Sequence, residues 1–226
     1  MVTSAHPSRL RLLRSALVAA AVGATLLVPA LPATAAPRPL EYRITIINLS
    51  RADLTPAVYG VHDRRASLFR RGRFATPGIA LLAEDGVTSV AAAELRRKRG
   101  VRQVGVSNRI ARGRSITLRV RTTSRHRRFS FASMAVCSND TFAGLNKIAL
   151  PVRPRRRVIN VRAFDAGSER NTESAAHVPC LGAHGVGPSE RRRIAAGSRI
   201  RGIADLVNHR HGWGRYIARV VIRRVK

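Results

Sequence analysis

Acidic residues are scarce in this chain. Only 12 Asp and Glu stand against 42 Lys and Arg, for a formal charge of +30. Aromatic residues are also few, at 4%, with a single tryptophan. There are two cysteines, Cys137 and Cys180, so stability must come from a buried core and not from a dense disulfide framework. The signatures G-x-S-x-G, H-E-x-x-H, the P-loop and C-x-x-C are all absent, which removes the commonest hydrolase, zinc-protease, nucleotide-binding and thiol-redox readings. There is no internal repeat and no low-complexity tract. Long apolar runs are missing as well, except for one near the N-terminus.

That run has the build of a secretory signal. Arg9, Arg11 and Arg14 precede an apolar stretch from Ala16 to Val28, followed by Pro29, Pro32 and the small-residue site Ala33-Thr34-Ala35. The stretch is shorter than the roughly 20 residues that span a bilayer. Cleavage is expected after Ala35, because a cut after Ala36 would put Pro37 beside the scissile bond. Residues 36–226 are then expected to form one exported, soluble domain with no transmembrane segment. Removing 1–35 takes three arginines and no acid, so the remainder stays strongly basic. Apart from Lys98, Lys147 and Lys226, the positive side chains are all arginine. Such a charge attracts polyanions in a salt-dependent way. For an exported protein the expected partners are anionic cell-wall or surface polymers or anionic lipid, with no specific nucleic acid; the alternative is a solvated, strongly charged surface with no single partner. An oxidising compartment also favours pairing of Cys137 with Cys180.

Alternating apolar and polar residues mark strands along most of the chain. Tyr42, Ile44 and Ile46 share one face, opposite Arg43 and Thr45. Leu54 to Val61 is a second apolar run. Ile116, Leu118 and Val120 alternate with Thr117, Arg119 and Arg121, and Phe129 to Val136 follows. Further strands are expected over 145–152, over 158–164, and at the end around Val220 and Ile222. Helical signals are confined to 76–99. There Thr76 and Pro77 read as an N-cap and first helical residue, Gly86 stops a first helix, and Thr88 or Ser89 caps a second that runs to Gly100. Residues 177–190, rich in Gly, Pro and His, read as a loop. This pattern predicts a mostly β chain, an antiparallel β-sandwich with one short helical insertion.

The few acids are not evenly spread. Asp140 lies in the turn-like SNDTFAG, just after Cys137, and Asp165 and Glu169 lie in FDAGSERN. Asp140 and Asp165 both sit just past predicted strand ends, so their loops converge if those strands are neighbours at one end of a sandwich. Three carboxylates, with backbone carbonyls and Asn139 nearby, form a hard oxygen site suited to Ca²⁺, which tolerates loop ligands. The competing readings are ordinary Asx turns and ion pairs with the many arginines, Glu169 with Arg170 for example. His209 and His211 would share a face if extended, and His62 and His209 are the candidate histidines for a hydrolase.

These same segments carry a resemblance. SNDTFAG (138–144) and FDAGSERN (164–171) resemble the SPDWFVG and YDAGTDSG segments of the spondin N-terminal domain family, found in F-spondin, mindin and many secreted bacterial proteins. FRRGRFATPGIALLAEDG (69–86) resembles the family's G-x-x-A-S-x-G-x-x-x-x-A-E-x-G stretch, departing at Thr76 and Pro77. ARVVIRR (218–224) is similar to its final strand. The resemblance covers about 42–224. It implies a β-sandwich related to C2 domains, and a calcium ion whose ligands here would be Asp140, Asp165 and Glu169, the last a Glu where animal members have Asp. Glu84 matches the family's A-E-x-G glutamate and is expected to pair with an arginine. The chain is therefore expected to be a secreted, non-enzymatic binding or adhesion-type module that holds Ca²⁺. The alternatives are a surface-retained structural protein whose acids pair with Arg, and a hydrolase.

Overall fold

A computed structural model describes residues 39–182 and 186–225. The secretory signal, 1–35, with its cut after Ala35, lies outside the described residues. The chain begins with β1 (Leu40–Asn48) and β2 (Val58–His62), then α1 (Pro77–Asp85) and α2 (Thr88–Arg97). Next come β3 (Val101–Val106), β4 (Ser115–Thr122), β5 (Arg128–Met134), β6 (Thr141–Ala149), β7 (Arg156–Val161) and β8 (Ala163–Asp165). After a 3-10 turn at Pro179–Leu181 follow β9 (Ala195–Ala196), α3 (Asn208–His211) and β10 (Ala218–Arg224).

The strands form two antiparallel sheets, ordered β4-β1-β10-β7 and β3-β2-β5-β6-β8-β9. The predicted alternation of β1 explains the packing between them. Tyr42, Ile44 and Ile46 are fully buried and meet Val61, Phe129, Phe131 and Ala143 of the opposing sheet. The six-stranded sheet is apolar on its other face too. There Val58, Ala132 and Phe142 receive Ile79, Leu82, Ala91 and Leu95 from the two helices. The helical insertion is thus a lid on one sheet of the sandwich. The helices approach closely at Gly78, where an added Cβ would lie 2.6 Å from the Ala91 Cα. Glu94 of α2 fastens the start of α1: its carboxylate accepts the Gly78 N–H at 2.8 Å and the Thr76 hydroxyl at 2.6 Å. Thr76 is the N-cap and Pro77 opens the helix, as the sequence predicts.

Several expectations need correction. The 54–61 run is a strand only from Val58. Pro56 has no N–H to give a ladder, and Leu54 makes isolated bridges to Ile110 and Ala135. The 145–152 strand begins earlier, at Thr141, and ends at Ala149, two residues before Pro151. The 158–164 run is not one strand: β7 pairs with β10 in one sheet and β8 with β6 in the other, so the chain changes sheets at Arg162. The edge strand β3 was not expected, because its half-exposed VRQVGV lacks clean alternation. The N-cap of α2 is Val87, with no capping side chain, and not Thr88 or Ser89. Helix is not confined to 76–99, since Asn208–His211 forms one further turn. The predicted disulfide is present: Cys137 and Cys180 are joined, with Cα atoms 5.0 Å apart. It ties the segment after β5 to the 3-10 turn within the 177–190 loop.

Candidate functional site: the carboxylates between β6 and β8

Asp140 precedes β6 and Asp165 closes β8. These strands are antiparallel neighbours, with Thr141 paired to Asp165, so the two acids meet at one end of the six-stranded sheet. The backbone locks them in place. The Ala166 N–H donates to the Asp140 carbonyl at 3.1 Å. The next turn wraps around the Asp140 side chain, whose Oδ2 accepts the Ser168 N–H at 2.8 Å, the Ser168 hydroxyl at 3.3 Å and the Glu169 N–H at 3.1 Å. Gly167 makes this wrap possible. Its φ is +70°, and a Cβ there would lie 2.6 Å from the Arg192 carbonyl oxygen. Asp165 Oδ1 accepts the Gly167 N–H at 2.8 Å, and its Oδ2 accepts the Asn171 amide at 2.7 Å.

One atom has no partner. Asp140 is fully buried, and its Oδ1 has no hydrogen-bond partner among the described residues. A buried carboxylate oxygen without a donor is costly unless it takes a proton or a cation. Burial first, and then the neighbouring Asp165 charge, push the Asp140 carboxyl up to about 6. Burial also raises Asp165. Glu169 is pushed up to about 7, mainly by burial, with further repulsion from Glu84, Asp140 and Asp85.

The structure brings Asp140 and Asp165 together and turns the Glu169 carboxylate aside. Glu169 reaches Asp140 through its backbone N–H, while its Oε1 accepts the Gly187 N–H at 2.8 Å. Among the described residues no three His, Cys, Asp or Glu side chains converge on one point at metal-ligand range. Contact ion pairs with arginine are absent here too among the described residues. Ion pairs among the described residues involve Asp63, Asp53, Glu41 and Glu190, and none involves Asp140, Asp165, Glu169 or Glu84. In so basic a chain, the buried Asp140 and Glu169 and the half-buried Asp165 form no ion pair among the described residues, although the Arg192 charge reaches Asp165. Burial explains this: a guanidinium would also have to be desolvated to reach Asp140.

Two more residues shape this region: Asn139, which the sequence already sets beside the carboxylates, and Glu173, which it does not single out. Asn139 accepts the Glu173 N–H at 3.3 Å and donates to the Thr172 hydroxyl at 3.2 Å. Glu173 is buried, and its carboxylate accepts the N–H groups of Arg201, Gly202 and Ile203 at 2.6, 2.6 and 3.0 Å. It anchors the returning chain behind the site. Its one sequence signal is that it is another acid within a few residues of FDAGSE.

The histidine candidates lie in unlike surroundings, His62 buried and His209 exposed. His62 lies 2.8 Å from the Ser130 hydroxyl, but both residues have no exposed surface, and burial lowers the His62 pKa. Ser130 is occupied by Asn146 and the Lys147 N–H. His209 and His211 lie in α3, where positions two apart do not share a face, and His211 Nδ1 accepts the Val207 N–H at 3.0 Å.

A model of the Spondin_N family matches residues 49–180, more than half of the chain and inclusive of all three acids and both cysteines. The chain belongs to the Spondin_N family. No curated protein matches it. Spondin_N is a non-catalytic domain family whose members are typically extracellular. Among the described residues no helix is long and apolar enough to cross a membrane.

Proposed function

We propose that this spondin domain is an exported binding module whose Asp140 and Asp165 hold Ca²⁺, with Glu169 as the third carboxylate. The observation that carries the proposal is the unpartnered, buried Asp140 Oδ1 beside a second carboxylate that is in no ion pair among the described residues. A calcium ion would supply the missing positive charge and hold the two loops together. Loop carboxylates and carbonyl oxygens are the ligands this ion prefers. Glu169 contributes through charge, being within electrostatic reach of Asp140. Melting curves provide the test. Millimolar calcium raises the Tm of the wild type and leaves Asp165→Asn unchanged; an unchanged wild-type Tm contradicts the reading.

The partner we propose is an anionic surface polymer, and strand register supports a place for it. On the outer face of the four-stranded sheet, Arg119, Arg43, Arg223 and Arg156 are successive cross-strand partners, and all four are exposed. With strands about 4.8 Å apart, the row is roughly 14 Å long. Like charges directly opposite one another destabilise a sheet. A polyanion lying across the strands relieves that repulsion.

A further inference from the structure

A second site shares no residue with the carboxylates. The long β2–α1 connection, residues 63–76, arches over a cavity of about 540 Å³, within the range of small-molecule sites. Its floor is apolar and buried: Leu68, Phe69, Ile79 and Ile194. Phe69 is held edge-on to Phe142 and Phe164, with ring centroids 5.0 Å apart in each case. Phe74 forms one lip. It is 48% exposed, an unusual place for a large aromatic side chain. The Arg191 and Arg193 guanidinium groups stand over its ring at 5.6 and 5.0 Å.

The rim has the opposite character. Arg70, Arg73, Lys98 and Arg99 surround the mouth, and no Asp or Glu lines it. Two acids stand behind its walls and are held by their own partners: Asp63 by Arg65, and Glu94 by Thr76 and Gly78. None of the four rim cations is in an ion pair among the described residues. The Lys98 ammonium donates to the Ser67 carbonyl at 2.8 Å, which fixes it at the edge.

The cavity is also built in advance of any ligand. The Gly72 N–H donates to the Ile194 carbonyl at 2.9 Å, and the Ile194 N–H returns to the Arg73 carbonyl at 2.8 Å. The Leu68 N–H donates to Asn146 at 3.0 Å, and the Asn146 amide donates to the Phe69 carbonyl. The arch is thus pinned to two separate parts of the fold. A preorganised apolar floor under a ring of cations selects a ligand with both features.

We infer that this cavity binds a single-chain anionic amphiphile, an acyl or alkyl chain bearing a phosphate or carboxylate. The chain lies on Leu68, Phe69, Ile79 and Ile194, and the acid meets Arg73, Arg99 and their neighbours. This holds whether or not calcium occupies the carboxylate site.

Titration calorimetry with dodecyl phosphate, below its micelle concentration, tests the inference on the purified protein. Saturable one-to-one binding is expected. Dodecanol, without the charge, and inorganic phosphate, without the chain, should each bind at least tenfold more weakly, and a parallel dodecanoate titration reports which acid group is preferred. Arg73→Gln/Arg99→Gln and Phe74→Ala change exposed side chains only, and each should weaken binding at least tenfold with an unchanged Tm. Arg153→Gln/Arg155→Gln, which removes the same charge from the exposed β6–β7 connection, should change it less than twofold. The inference is overturned if the control weakens binding as much as the rim variant, if both cavity variants bind like wild type, or if inorganic phosphate binds as tightly as dodecyl phosphate. Binding confined to anionic vesicles, with none of the monomeric amphiphile, overturns it as well.

Discussion

Asp140 concentrates the chemistry of this protein in one side chain. Three donors serve one of its oxygens and none serves the other. Its pKa rises to about 6 from an ordinary 3.8, and that of Glu169 to about 7 from 4.5. The metal-free native state therefore keeps protons that the unfolded chain has already released. Between about pH 4 and pH 7 the native state binds more protons, so its stability falls as pH rises through that window. For Asp140 the loss is on the order of 3 kcal/mol. Asp140→Asn removes this part. In the absence of calcium its urea-unfolding stability should depend less on pH than the wild type's and should match or exceed it at pH 8. A variant with the full wild-type slope would show that the penalty lies elsewhere. Calcium competes with these protons, so its affinity should fall as pH drops from 7 toward 6.

At the scale of elements, the helical pair depends on one polar cross-link. Glu94 reaches from α2 to satisfy both the first free N–H of α1 and the hydroxyl of its capping threonine. Glu94→Ala leaves both without an acceptor and should cost about 1–3 kcal/mol by urea unfolding. The matching Glu94→Gln should recover much of the loss. Sequence pattern revealed this element well, because Thr76, Pro77 and Gly86 each carry a local backbone requirement that no distant contact alters. β1, β4 and β10 were equally legible, being buried on one face and solvated on the other. The reading weakened where a strand is buried on both faces or changes sheets. The 158–164 run, VINVRAF, reads as one strand, yet the chain divides at Arg162 between two layers. β3 was missed because an edge strand with few buried residues has little period to detect. At the site, the sequence set Asp140 and Asp165 beside strand ends, but their meeting depends on β6 starting at Thr141 and pairing with β8, which the pattern does not reveal. The direction of the Glu169 carboxylate could not be read, since it depends on Gly187, eighteen residues away and brought close only by the fold.

At the scale of the whole molecule, charge is the dominant fact. A formal +30 on 226 residues opposes compaction, and the sandwich offsets it with two apolar layers and a disulfide. The register gathers part of that charge into the row Arg119, Arg43, Arg223 and Arg156. Binding to a linear polyanion such as heparin should weaken linearly in log K against log salt. Arg43→Gln/Arg119→Gln should reduce the slope by about 2, one for each arginine removed, and more than an equal change at Arg153 and Arg155 does. Identical slopes for the two pairs would mean that the polymer senses only net charge.

The measurement that decides most is an isothermal titration of calcium into metal-stripped protein at pH 7.5, run on the wild type and on Asp140→Asn. The wild type should show a single saturable site and the variant no saturable heat. Absence of binding to the wild type, or equal binding to both, would contradict calcium binding at Asp140.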